Sequence, residues 1–139
     1  VCLVLFLGVT VVVAKTKTHK TSDKTNDGGG SGDDSMKSGL SNLTVLFIGY
    51  ANKEAYRLTL ERQSAVLYST SREEIWHKGA TSGDALELVS VGVNCEQNSL
   101  LYRVRKAGTG VCHTKDESGT ARQTCYYRTV TDPDSLTFS

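Results

Sequence analysis

Apolar positions in this chain fall into short runs of strand length, interrupted once by a stretch with helical spacing. Leu43 to Tyr50 (LTVLFIGY) is a continuous apolar run that predicts a strand. From Ala51 to Gln63 the spacing changes. Ala55, Leu58 and Leu60 are apolar, and Glu54, Arg57, Glu61 and Arg62 mostly lie elsewhere on the wheel. Asn52 stands where a side-chain oxygen can accept a hydrogen bond from the first free backbone N–H groups, so this stretch predicts a short amphipathic helix. Ala65 to Thr70 reads as another strand. Leu86 to Val93 alternates with one slip at Leu88-Val89, the mark of a bulge. Leu100, Tyr102 and Val104 share one face of the next strand, with Arg103 and Arg105 on the other. These last two strands flank Asn94 to Ser99, a connection of hairpin length. The pattern predicts an α+β domain over residues 39–130, mostly antiparallel sheet with one amphipathic helix.

Outside that domain the composition changes. Residues 1–14 (VCLVLFLGVTVVVA) are almost wholly apolar, too short for a membrane span of roughly 20 residues and close to the hydrophobic part of a targeting peptide. A buried strand is the other reading. Residues 15–38 are rich in Lys, Thr, Ser, Asp and Gly, which cannot bury a core, and predict a disordered linker. Residues 131–139 read as a tail or the start of a linker. With 16 basic and 15 acidic side chains among 139 residues the net charge is +1, so no overall field recruits nucleic acid or an anionic membrane.

Two segments carry candidate chemistry. Cys95, Cys112 and Cys125 are grouped in the C-terminal half. Three thiolates suit zinc and leave its fourth position to water, whose pKa then falls to about 7. By spacing alone, three scattered cysteines are more often core or surface thiols than metal ligands, and in a secreted protein Cys112 and Cys125 could form a disulfide. His113, directly after Cys112, is a candidate for proton transfer or a loop histidine. The second segment, Ser71 to Gly83 (SREEIWHKGATSG), reads as a polar loop. It brings together Arg72, Trp76, His77, Lys78, Thr81 and Ser82 with two glycines. Guanidinium, ammonium and hydroxyl groups hold phosphate oxygens, and an indole stacks on a purine or fills a core.

Together these segments resemble the phosphoribosyl-AMP cyclohydrolase family. The likeness lies in Trp76-His77-Lys78-Gly79-Ala80-Thr81-Ser82-Gly83, then Cys95, Cys112-His113-Thr114 and Cys125-Tyr126-Tyr127-Arg128 in that order, and it runs from about Leu43 to Val130. It implies a hydrolase of histidine biosynthesis. Water would add at C6 of the purine of 1-(5-phosphoribosyl)-AMP before the N1–C6 bond breaks. It also implies an intertwined homodimer whose zinc, held by Cys95, Cys112 and Cys125, draws thiolates from both subunits. Arg72, Trp76, Lys78, Thr81 and Ser82 would line the substrate site, with His113 and His77 as the catalytic candidates. The location would be cytoplasmic by family habit, or an organelle such as a plastid if the N-terminal segment is a targeting peptide.

Two departures qualify this. The family's aspartates that hold magnesium around the first cysteine are here Asn94, Glu96 and Asn98, so magnesium binding is expected to be weakened. The connection from Cys112 to Cys125 is lengthened by Lys115 to Gln123. Longer loops cost little, so the two cysteines are still expected to converge. A degenerate relative that keeps fold and zinc without activity is the alternative function.

Overall fold

The computed structural model describes residues 9–16 and 43–138. Apart from Lys15 and Thr16, the expected linker lies outside the described residues, as does the first part of the apolar N-terminal run. The rest of that run is strand β1 (Val9–Thr16). Then come β2 (Leu43–Ala51), helix α1 (Lys53–Arg62), β3 (Val66–Ser69), β4 (Glu74–His77), β5 (Leu86–Val93), β6 (Ser99–Lys106), β7 (Arg128–Asp132) and β8 (Ser135–Phe138). The main sheet has the order β4-β3-β2-β1-β6-β5, and β7 pairs with β8 apart from it. Every pairing is antiparallel except β1 with β6. The described residues thus form an α+β fold with one helix and a mostly antiparallel sheet.

β1 occupies the middle of the sheet, and Val11 and Val13 on it are completely buried. The sheet therefore draws on residues on both sides of the expected linker, and begins well before residue 39. Cross-strand neighbours set its two faces. Phe47, Val13 and Tyr102 form one row, continued by Val91, and this face holds the core with Leu67, Leu86, Leu88, Leu100 and Val104. On the opposite face Ile48, Val12 and Leu101 form a second row, where Ile48 is half exposed. Burying a large aliphatic or aromatic side chain contributes about 1.5–3 kcal/mol, so the first row dominates stability.

Helix α1 starts as its sequence predicts: the Asn52 side chain accepts from Ala55 N–H at 2.8 Å. It ends at Gln63, whose N–H still donates to the Thr59 carbonyl and whose left-handed φ of 50° turns the chain so that the Ser64 N–H reaches that carbonyl too, at 3.3 Å. Ala55 and Thr59, four residues apart, face inward. The Thr59 hydroxyl lies 2.9 Å from the Ala55 and Val66 carbonyls and accepts from Val66 N–H, which ties the helix to β3. The exposed Arg57 pairs with Glu54 and Glu61 add little, because solvent screens them.

Two bulges shape the sheet. The one expected at Leu88-Val89 is present in β5. A second lies in β2, where Val13 faces Phe47 but Ala14 faces Val45, leaving Leu46 without a partner on β1. As a result Leu46 and Phe47 are both buried although adjacent. Two elements differ from the sequence reading. Glu74–His77, read as loop, is a strand; it is only four residues long and its two apolar residues, Ile75 and Trp76, are adjacent rather than alternating, so periodicity gave no signal. Residues 128–138, read mostly as tail, form the β7–β8 hairpin, exposed throughout both strands. The Arg122 guanidinium lies 4.2 Å from the Tyr127 ring and 5.6 Å from that of Phe138, anchoring the hairpin to the preceding loop.

Candidate functional site

β4 pairs with β3 so that Trp76 lies opposite Leu67 and His77 opposite Val66. Side chains alternate along a strand, so neighbours Trp76 and His77 point to opposite faces. His77 turns toward the end of α1, where its ring nitrogens lie 3.1 Å from the Ser64 hydroxyl and 3.5 Å from Arg62. Trp76 turns the other way, and the Lys78 ammonium sits 5.3 Å from its ring and 5.9 Å from that of Phe47. After Lys78 the chain makes a tight turn at Gly79, with φ of +82° and an Asp84–Ala85 backbone 2.4 Å from where a Cβ would sit. Only glycine fits there.

Cys112 and Cys125 reach this corner from the far side. The backbone N–H groups of Val111 and Cys112 both donate to the Arg122 carbonyl, and Arg122 N–H donates to the Thr114 carbonyl. Gly110 permits this approach, since a Cβ there would meet the Ala121 carbonyl oxygen at 2.2 Å. Between these contacts the added loop closes on itself, with Asp116 N–H donating to the Thr120 carbonyl and the Asp116 carboxylate accepting from Ser118 and Thr120. The β2 bulge completes the arrangement. The Leu46 carbonyl accepts from Cys125 N–H at 2.8 Å, and the Thr124 hydroxyl donates to the carbonyls of Val45 and Leu46. The two cysteines come close across the lengthened loop, near enough for each to shift the ionisation of the other.

Their electrostatics differ. Burial opposes ionisation of Cys112, but hydrogen bonds from the Thr114 side chain and backbone, the Cys125 thiol and the Lys78 charge together hold it below the ordinary thiol range. Burial, then the hydrogen bond and charge of Cys112, push Cys125 up to about 11. The first negative charge of the pair therefore goes to Cys112. Two soft donors side by side, one readily ionised, fit zinc.

Around them lies a hollow of about 510 Å³ lined by Phe47, Ile48, Arg72, Trp76, Lys78, Val111, His113 and Cys125, within the size range of small-molecule sites. A second hollow of about 320 Å³ shares Trp76 and Lys78 with it and is lined by His77, Thr81 and Ser82 among others. The structure thus gathers Arg72, Trp76, Lys78, His113, Cys112 and Cys125 in one corner, with Thr81 and Ser82 next to it. His77 lines only the outer hollow. Phe47, Ile48, Thr114 and Thr124 were missed from sequence. Phe47 and Ile48 sit in an apolar run that looked like core, and Thr124 acts only through the distant bulge.

Cys95 stands apart. It is exposed in the β5–β6 turn, and among the described residues no group of three His, Cys, Asp or Glu side chains could share a metal. β6 runs from this turn to the segment that carries Cys112. At a rise of about 3.3 Å per residue β6 itself is roughly 23 Å long, with Cys95 before its start and Cys112 after its end. Around Cys95 the Asn94 side-chain oxygen accepts from the N–H groups of Asn98 and Ser99 at 3.0 and 2.9 Å. The Asn94 amide donates to the Asn98 oxygen at 2.7 Å, and the Asn98 amide donates to Glu96 at 3.0 Å.

A cleft of basic, aromatic and thiol groups on a mostly antiparallel sheet is a candidate small-molecule site. Comparison with known proteins identifies it further. Residues 47–127, more than half of the chain, match the phosphoribosyl-AMP cyclohydrolase family, and the chain belongs to that family. It is 45% identical over 86 residues to the phosphoribosyl-AMP cyclohydrolase of Haloarcula marismortui, covering 62% of this chain and 66% of that one. It is 37% identical over 91 residues to that of Chloroherpeton thalassium, covering 66% and 60%. A histidine biosynthesis bifunctional protein of Deinococcus radiodurans is 43% identical over 91 residues, 66% of this chain and 38% of that one. The chain thus spans less than two thirds of the length of these relatives. No helix among the described residues is long and apolar enough to cross a membrane.

Proposed function

We propose that this chain hydrolyses 1-(5-phosphoribosyl)-AMP, opening the purine at N1–C6 in histidine biosynthesis. The observation that carries the reading is the meeting of Cys125, His113, Arg72, Trp76 and Lys78 on one hollow, with the buried Cys112 close to Cys125. Trp76, partly exposed at the rim, offers a flat face for the purine. Arg72 and Lys78 offer charged donors for phosphate oxygens, and the hydroxyls of Thr81 and Ser82 extend that surface into the adjoining hollow. Cys112 and Cys125 would hold zinc, which when bound supplies Lewis acidity and brings the pKa of a coordinated water to about 7. His113 is the group positioned to take a proton from water as its oxygen bonds to C6 and to return one to N1 as the N1–C6 bond breaks. His77, engaged with Ser64 and Arg62, is assigned to holding β4 against α1 rather than to proton transfer.

Cys95 belongs to this reading through a second copy of the chain. One chain supplies two thiolates at one end of β6 and the third at the other end, so a three-thiolate zinc site calls for two chains in two-fold exchange. The row Ile48–Val12–Leu101 offers an apolar face for that association, and Ile48 also lines the hollow.

The test is metal content and turnover together. Purified protein is expected to carry about one zinc per chain and to consume phosphoribosyl-AMP, followed by purine absorbance. Cys112→Ala is expected to abolish both; unchanged turnover in that variant would sink the assignment. Zinc at full occupancy with no turnover would select the degenerate, binding-only reading, which the exchange of carboxylates for Asn94 and Asn98 favours.

A further inference from the structure

The resemblance implies magnesium at the turn around Cys95, and the residues present there do not fit it. Magnesium takes oxygen ligands in a near-octahedral shell. In this turn the Asn94 oxygen is committed to two backbone N–H groups, of Asn98 and Ser99. Those two donors orient the Asn94 amide, so its NH2 group must point into the turn, where it donates to the Asn98 oxygen. The Asn98 NH2 group must then point onward, and it donates to Glu96. The donor direction of the whole chain follows from the backbone. Two N–H donors thus occupy the space between the three side chains, where a cation would need lone pairs.

We propose that Asn94 and Asn98 replace the divalent cation: the amide hydrogens join side chains that would repel one another as three carboxylates. The turn that presents Cys95 is then preformed without magnesium. Backbone bonds agree with this, since Gln97 N–H donates to the Asn94 carbonyl and Asn94 N–H to that of Ser99, and Gln97 takes the left-handed φ of 58° that closes the turn. Only Glu96 retains a charge there, which is too little to hold a strongly hydrated dication.

The proposal concerns the turn and not turnover, so its test uses unfolding temperature and amide exchange of the zinc-loaded full chain. Millimolar magnesium chloride is expected to leave the wild-type Tm unchanged. The double variant Asn94→Asp with Asn98→Asp is expected to unfold at lower temperature than wild type and to be raised by magnesium by roughly 5 °C. A magnesium-induced rise in the wild type that Glu96→Gln removes would overturn the proposal, as would a double variant indifferent to magnesium. If the double variant does not fold, the wild-type backbone N–H groups of Asn98 and Ser99 decide. Slow exchange without magnesium supports the lock, and fast exchange that slows only when magnesium is added refutes it.

Discussion

Two regions of this molecule hold the cysteines, and they are built by opposite means. The corner with Cys112 and Cys125 is assembled from distant parts of the chain: β2, the turn after β4, and the loop that links the two cysteines. Its geometry hangs on a bulge at Leu46 and on carbonyls of residues far away in sequence. The turn with Cys95 is local, closed by hydrogen bonds among six consecutive residues. The corner forms only when the sheet does, whereas the turn is nearly complete within itself. The difference teaches that one chain can build two cysteine-bearing regions by opposite means and hold them beyond opposite ends of one strand.

The sharpest way to break that comparison is complementation. Cys95→Ala and Cys125→Ala are each expected to lose essentially all activity. Refolded together in equal amounts, they are expected to recover about a quarter of wild-type activity. Half of the dimers then contain both variants, and one of the two sites in each is intact. No recovery in mixtures that demonstrably exchange subunits would show that the thiolates are not shared. A smaller effect is expected at Lys78, which lines both hollows and lies over Trp76. Lys78→Met should raise KM about tenfold with a lesser loss in kcat, since it removes a charge that meets substrate before and during reaction. An unchanged KM would exclude it from substrate binding. The smallest effect belongs to the tether. Thr124→Val removes the hydroxyl that donates to Val45 and Leu46, and should lower stability by about 1 kcal/mol in denaturant titration. If zinc retention weakens with it, the bulge positions Cys125; if not, the backbone bond from Cys125 suffices.

Much of the scaffold was legible before any coordinates. The Asn52 cap, the alternation of β6 and the slip in β5 are local chemistry, written within a few residues and read directly. The Trp76–Gly83 run with its three following cysteines named the family. Other features were not legible. β4 takes its conformation from pairing with β3, so the sequence, which offered His77 as a catalytic candidate, did not show that its ring faces Ser64 and Arg62 at the end of α1. Phe47 and Ile48 differ in no way from core residues until the bulge puts them at the edge of the hollow.

By itself, then, the sequence determined the donors, the aromatic and basic groups, and the elements whose period or cap is contained in a short window. The tertiary structure decided which of those groups meet. Register, bulge position and strand length act over the whole sheet. They bring Cys125 beside Cys112 across an enlarged loop, and β6 holds Cys95 at its opposite end.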